Sequence, residues 1–250
     1  MNITAVILSK NEERNIKDCI KSLKFCNEIL VIDDDSTDNT KVFAKSSGAK
    51  VIARPLAGDY ATQKNFALSK ANYKWVVFID ADERISDDLK EEIKKVVDIP
   101  NNPYMGYLIK RNKYLWGKTV NFGDSRDDLL RLGKKNAGKW VRRVHEHWVM
   151  PGKVKKLSGK INHYPHKSLK EYVEHVDFFS GLHAKAHYDA GTKSNLFKIL
   201  FYPPVKFIQN YFLRLSILDG SRGFLISMMM SLHSFLAWSK LWLLQKHIEQ

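Results

Sequence analysis

The first hundred residues alternate between short apolar runs and stretches with apolar side chains at helical spacing. Residues 3–8, 28–32, 50–53 and 74–79 are apolar runs. Continuous rather than alternating runs fit strands buried on both faces. Between them, residues 12–25, 40–47, 60–71 and 87–97 read as helices; Ile16, Ile20 and Leu23 mark one face of the first. Gly48 is a C-cap signal, and Pro100 follows the last helix. Strands alternating with helices predict a parallel sheet with right-handed crossovers. Each strand ends in polar residues: Ser9-Lys10-Asn11, then residues 33–38, then Arg54, then Asp80-Ala81-Asp82. In a parallel sheet these ends share one edge, where open α/β sheets bind ligands.

Residues 105–162 are less regular. Strand-like pieces at 107–109 and 129–132 are punctuated by Gly117, Gly123, Gly133, Gly138 and Gly152. After Lys167 the pattern turns helical. Ser168 with Glu171 three residues on fits a capping box, opening a helix that runs to about Ala190. Residues 195–218 and 222–247 read as two more helices, with Pro203-Pro204 interrupting the first. Residues 223–239 carry no formal charge but fall short of the roughly 20 apolar residues a membrane span needs. Arg214, Arg222, Lys240, Lys246, Trp238 and Trp242 flank them in the manner of an interfacial anchor. A helical hairpin packed on the rest of the chain or on a second subunit is the alternative.

Charge sharpens this picture. The net charge is +14, and from Pro151 onward 14 Lys/Arg face 6 Asp/Glu, a net +8 in an aromatic-rich region. That suits an anionic membrane surface or nucleic acid, against an ordinary lysine-rich surface. Nucleic acid is disfavoured, because the basic residues are spread among helices with apolar faces rather than interleaved with aromatics on one face. Cys19 and Cys26 have neither metal-ligand spacing nor the look of a disulfide framework. The N-terminus has no basic segment followed by a long apolar one, so the expectation is a cytoplasmic protein without a signal peptide.

The chemistry concentrates at Asp80-Ala81-Asp82. Two carboxylates at i, i+2 repel unless something holds them. Mg²⁺ or Mn²⁺ takes one or two carboxylates and completes its shell with water and phosphate oxygens. The bland alternative is a solvated turn in which Asp82 or Ser86 caps the next helix. A phosphotransferase of the haloacid dehalogenase type would place its DxD near the chain start, usually followed by Thr or Val; here Glu83-Arg84 follow and three strands precede. A nucleotidyltransferase would need a Gly-rich loop after the first strand, and residues 9–13 contain no glycine.

Three stretches in combination, Ser9-Lys10-Asn11-Glu12-Glu13, Val31-Ile32-Asp33-Asp34-Asp35-Ser36-Thr37-Asp38 and Ile79-Asp80-Ala81-Asp82-Glu83, closely resemble the signatures of family 2 glycosyltransferases. Asp35 departs from the glycine or small residue common in that family. The resemblance implies an α/β architecture, the GT-A nucleotide-diphospho-sugar transferase fold with a mostly parallel Rossmann-like sheet and a C-terminal helical extension. It divides the chain into a catalytic domain, 1–165, with a donor-binding half (1–100) and an acceptor half (101–165), and a helical region, 166–250. It places Ser9, Asn11, Glu12, Asp33, Asp34 and Ala81 at the donor. Asp34, or its neighbour Asp33, would accept from the imide N–H of uracil. Asp80 and Asp82 would hold Mg²⁺ or Mn²⁺ at the diphosphate. Arg54 and Lys64 are either phosphate-reaching cations or surface charges.

An inverting displacement needs a general base, and Asp127, Asp128 and Glu146 are the candidates. One subgroup carries D-x-x-x-R-L followed by V-H-E, matched here by Asp127, Arg131 and Leu132 and by Val144-His145-Glu146. This selects Asp127 and Glu146, although His145 and Glu146 can also be read as a structural pair. That subgroup includes enzymes adding glucose to the heptose of lipopolysaccharide inner core. The implied reaction is transfer of a hexose from a UDP-sugar to a lipid-linked saccharide. The implied location is the inner face of the cytoplasmic membrane, where the protein would be peripheral, with homo-oligomerisation through the C-terminal helices as an option. His163 and His166 read as residues at the domain junction without a chemical role.

Overall fold

The computed structural model describes residues 2–123, 128–143, 146–166 and 168–247. The chain forms two compact units, Met1–Asn112 with Asp127–His163, and Lys113–Arg126 with Tyr164–Gln250.

In the first unit, strands β1 (Ile3–Ser9), β2 (Glu28–Asp33), β3 (Lys50–Ala53) and β4 (Trp75–Asp80) run parallel in the order β3-β2-β1-β4. Helices α1 (Ile16–Ser22), α2 (Thr40–Ser46), α3 (Tyr60–Lys70) and α4 (Asp87–Val97) alternate with them. Ile3, Ala5 and Ile7 of β1 join one core with Ile16 and Ile20 of α1 and Leu89 and Ile93 of α4. Val6, Leu30, Val76 and Phe78 join another with Ala67 and Leu68 of α3. Both sheet faces are therefore covered, which is why these strands are apolar without alternation. The register sets Ser9 opposite Asp33, Leu8 opposite Asp80 and Asp33 opposite Ala53. The four polar strand ends thus stand level on one edge, as the sequence predicts.

Beyond β4 the sheet becomes antiparallel. Strands β5 (Glu83–Ile85), β6 (Gly106–Leu115), β7 (Lys118–Val120), β8 (Asp128–Lys134) and β11 (Val154–His163) extend it in the order β4-β8-β6-β11-β5, with β7 on β6. The sequence shows only fragments of this half, because β11 buries alternate residues and leaves the others exposed. Its polar positions hide the strand from a search for apolar runs. Gly159 of β11 lets α4 close on the sheet: a Cβ there would lie 2.4 Å from Leu89 Cα. Strands β9 (Lys139–Val141) and β10 (His147–Val149) form a separate hairpin with Trp140 opposite Trp148.

The second unit is built on α5 (Leu169–Asp189), α6 (Leu196–Ile208) and α7 (Ser221–Gln245). Ser168 caps α5, its hydroxyl accepting from Glu171 N at 3.1 Å. Leu115 and Val120 bury against Tyr172, Val176 and Ile226. The Asp219 carboxylate accepts from the backbone of Asn121 and Phe122, and Arg222 donates to Leu115 O at 3.0 Å. These contacts group residues 115–122 with the helices, although they precede their partners by more than fifty positions. Pro203 and Pro204 do not interrupt α6, which runs through both. Proline's fixed φ is compatible with a helix, and its cost is a missing N–H. The break comes later, as a wider turn at Gln209–Leu213 and a left-handed Leu215. Helix α7 extends past the uncharged stretch to include Arg222 and Lys240, and by length and composition it could cross a membrane.

Candidate active site

The loops after β1 and β2 hold each other. Asn11 takes a left-handed conformation, φ 54°, and its side-chain oxygen accepts from Thr37 N at 2.8 Å. Asn11 N donates to Ser36 Oγ at 2.9 Å, Glu12 N to Thr40 Oγ1 at 2.7 Å and Glu13 N to Asp38 at 3.0 Å. The first two signature stretches are thus one interlocked pair of turns. Asp35, the departure from the family pattern, sits at φ 48°. Glycine suits such a position best, and Asp is among the few other residues that tolerate it.

Asp33 and Asp34 have different work. Asp33 is fully buried and accepts from Ser36 N at 2.9 Å and Ser36 Oγ at 2.6 Å, closing the turn, with Ser9 Oγ at 3.4 Å. Asp34 accepts from Leu56 N at 2.8 Å and Lys10 Nζ at 2.9 Å, and its side chain is 16% exposed where that of Asp33 is fully buried. Arg54 turns toward α3, where its guanidinium donates to Gln63 and lies 4.7 Å from the Phe66 ring.

The strand-four end is the electrostatic centre. Asp80 pairs with Arg131 of β8, Nη2 to Oδ2 at 2.7 Å, and its N–H donates to Glu83 Oε2 at 2.9 Å. Arg131 also reaches Glu83 Oε1 at 3.4 Å. Ala81 is buried, its small side chain joining the core between the two carboxylates. Burial alone would raise the Asp80 carboxyl, but Arg131 and Lys64 hold it well below the usual carboxylate range. Glu83, fully buried, is pushed up by burial despite Arg131. Asp82 points to His163 of β11, Oδ2 to Nε2 at 3.0 Å. Burial opposes its ionisation, and His163 outweighs burial to hold it low. His163 is therefore a member of this cluster rather than a bystander at a junction. The antiparallel pairing of β11 with β5, His163 opposite Glu83, brings it there from 81 residues away. No sequence signal marks that register. Arg131 was visible only as part of a motif, not as the partner of Asp80.

Lys64 and Glu146 meet although they are 82 residues apart, Nζ to Oε1 at 2.5 Å. Helix α3 grips the Trp hairpin: Asn65 donates to Trp140 O and accepts from Trp140 N, each at 2.9 Å. Trp140 stacks on Trp148 with centroids 5.3 Å apart, and Phe78 meets both edge-on. Glu146 immediately precedes β10 and is held by its ion pair with Lys64. Lys64 is 4% exposed and lies 4.2 Å from the Trp140 ring centre. Burial, with Arg131 nearby, lowers its pKa against the pull of Asp80 and Glu146. Of the sequence-predicted residues, Ser9, Asp33, Asp34, Asp80, Ala81 and Asp82 gather at the level strand ends, and Lys64 and Glu146 form a pair. Asp127 and His145 lie outside the described residues.

Among the described residues no group of three or more His, Cys, Asp or Glu side chains forms a metal cage. Asp80 and Asp82 offer carboxylate oxygens of the kind a divalent cation takes when water and substrate oxygens complete its shell, while His163 Nε2 is engaged with Asp82. His163 Nδ1 is buried and without a hydrogen-bond partner among the described residues, so the ring's polar contact is at Nε2. Two carboxylates fit an ion whose remaining ligands are water and phosphate oxygens.

Comparison with known proteins agrees with the geometry. The chain is 30% identical over 254 residues to the lipopolysaccharide core biosynthesis glycosyltransferase LpsC of Rhizobium meliloti, covering 98% of this chain and 93% of that one. It is 32% identical over 252 residues to an uncharacterized glycosyltransferase of Rickettsia typhi, covering 96% and 86%. The fold is similar to a crystal structure of S. aureus TarS 1–349, with a TM-score of 0.50 at 14% identity, over 99% of this chain and 92% of that one. Residues 4–144 match the model of Glycosyl transferase family 2, and the chain accordingly belongs to that family, as a glycosyltransferase of the GT-A fold.

Proposed function

We propose that the protein transfers a hexose, with inversion, from a UDP-sugar to a lipid-linked saccharide in cell-envelope glycan synthesis. The lipopolysaccharide core is the favoured acceptor. The observation that carries this reading is the convergence of Asp34, Asp80 and Asp82 on one sheet edge, two of them held ionised by Arg131 and His163. Asp34, the partly exposed one of the two neighbouring carboxylates, accepts from the uracil imide N–H. Asp80 and Asp82 would hold a divalent cation, with His163 positioning Asp82. When bound, that cation offsets negative charge on the leaving diphosphate. Lys64 on α3 stands between Asp80 and Glu146, whereas Arg54 is turned to Gln63 and Phe66.

The acceptor hydroxyl attacks C1 of the sugar from the face opposite the diphosphate. The new C–O bond forms as the C1–phosphate oxygen bond breaks, which inverts the centre. Glu146 receives the hydroxyl proton, with Asp127 as the alternative base. Lys64 orients the Glu146 carboxylate through its 2.5 Å contact. The similarity to LpsC over nearly the whole chain supports a core-saccharide acceptor. The basic, apolar helical region supports peripheral attachment to anionic lipid at the cytoplasmic face.

Calorimetric titration of the full-length chain with UDP tests the donor site. Binding is expected with Mn²⁺ or Mg²⁺ present, and about tenfold or weaker binding with a chelator. Equal affinity in chelator would show that UDP binds without the cation.

A further inference from the structure

We propose that the outer face of α6 is a docking surface for an anionic lipid bilayer, with the helix lying in the plane of the interface and α7 not spanning it. This deepens the reading above, that the helical region meets a membrane, by assigning the face and the mode.

An ordinary surface helix turns its charges outward. Helix α4 does so, burying Leu89, Ile93 and Val97. Helix α6 does the reverse. Leu196, Phe197, Leu200, Phe201, Val205 and Ile208 form a stripe at helical spacing and are exposed, with Leu196 at 67%, Phe197 at 61% and Val205 at 62%. The opposite side of the helix faces α7: Ser231 donates to Pro203 O at 2.9 Å, Tyr202 meets Trp238 edge-on, and Phe207 meets Phe224. The stripe continues past the helix through Phe212, Leu213 and Leu218, all exposed. A contiguous outward apolar face of this length marks a binding surface.

Charge selects the occupant. Residues 190–247 contain seven Lys/Arg and one acid, Asp219. That one carboxylate is engaged by the backbone N–H groups of Asn121 and Phe122. An apolar stripe on a segment with this excess of cations, Lys193, Lys198, Lys206 and Arg214 among them, matches a surface of acyl chains under anionic headgroups, to which a basic residue near the surface adds about 1 kcal/mol.

Helix α7 has the length of a span but is tied on its polar side to α5. Lys240 Nζ meets Asp177 Oδ1 at 2.7 Å, the His183 and His233 rings lie 4.8 Å apart, and His187 stacks on Trp238 at 5.1 Å. Crossing a bilayer would strip these contacts or carry Asp177 and its lysine into hydrocarbon, which is costly.

The test is co-sedimentation of the full-length protein with phosphatidylglycerol-containing and purely phosphatidylcholine vesicles, with F197D/F201D and the milder F197S/F201S alongside. UDP-sugar hydrolysis by the same preparations reports separately on the active site, so loss of lipid binding and failure of the transferase reading are distinguishable. The wild type should bind the anionic vesicles, release in high salt, and be extracted from membranes by alkaline carbonate. F197D/F201D should bind about tenfold more weakly or worse, F197S/F201S by a smaller factor, both hydrolysing donor as the wild type does. Wild-type failure to bind, variants that bind like the wild type, or resistance to carbonate would each overturn the proposal. So would a lipid-free dimer that F197D/F201D dissociates, because the stripe would then be a contact between copies.

Discussion

Asp82→Asn should leave a folded protein that transfers about a thousandfold less sugar than the wild type. The substitution keeps the shape at the end of β4 and a hydrogen-bond acceptor for His163, but it removes the charge that would hold a divalent cation at the diphosphate. Several kcal/mol of stabilisation of the leaving group would go with it, and each 1.4 kcal/mol is about tenfold in rate. Asp80→Asn should lose activity comparably and lose stability as well. Its carboxylate is the 2.7 Å partner of Arg131, whose other acidic partner, Glu83, lies at 3.4 Å. Leaving a buried guanidinium short of its charge partner costs more than removing an exposed one. Both carboxylates are held below their ordinary value, so they are ionised at neutral pH. Their contribution to stability is fully present above the unfolded value of about 4 and is lost as the pH falls through the folded-state values. Initial rates with donor and acceptor in excess, together with urea midpoints for both variants, read the two effects apart. Wild-type turnover by Asp82→Asn would remove it from the site.

Glu146→Gln should bind donor normally and transfer roughly 10²–10⁴-fold more slowly, the range expected for a general base. The amide keeps an oxygen for Lys64 and cannot take a proton. Asp127→Asn is the comparison, since it removes the other candidate base. UDP affinity by calorimetry and single-turnover rates separate binding from chemistry. A normal rate in Glu146→Gln with a dead Asp127→Asn would move the role to Asp127. Poor donor binding in both would leave neither acting mainly as a base.

The donor half was legible because its elements are local. Buried strands reveal themselves as apolar runs, and the residues after them are fixed by the turn that follows. That is enough to bring Ser9, Asp33 and Asp80 to one edge from the sequence alone. It did not separate Asp33 from Asp34. Both look alike in sequence, and only the hydrogen bonds from Ser36 show that Asp33 is consumed by its own turn. The antiparallel half was illegible for a different reason. Its strands expose one face, so polar residues alternate with apolar ones, and their register depends on partners far along the chain. His163 opposite Glu83 and Lys64 against Glu146 are products of that register and of the Trp hairpin's grip on α3. Pro203 and Pro204 misled in the opposite direction. A strong local signal for a break was overridden, as the helix continues through both.

The most direct measurement is release of UDP by the full-length protein from a panel of UDP-hexoses, with Mn²⁺ or Mg²⁺, in the presence and absence of lipid-linked core saccharides. One donor should be hydrolysed slowly and only with the cation, and faster with an acceptor that gains one hexose with inverted configuration. No turnover of any UDP-hexose with any such acceptor, or full turnover in chelator, would contradict the proposed transfer.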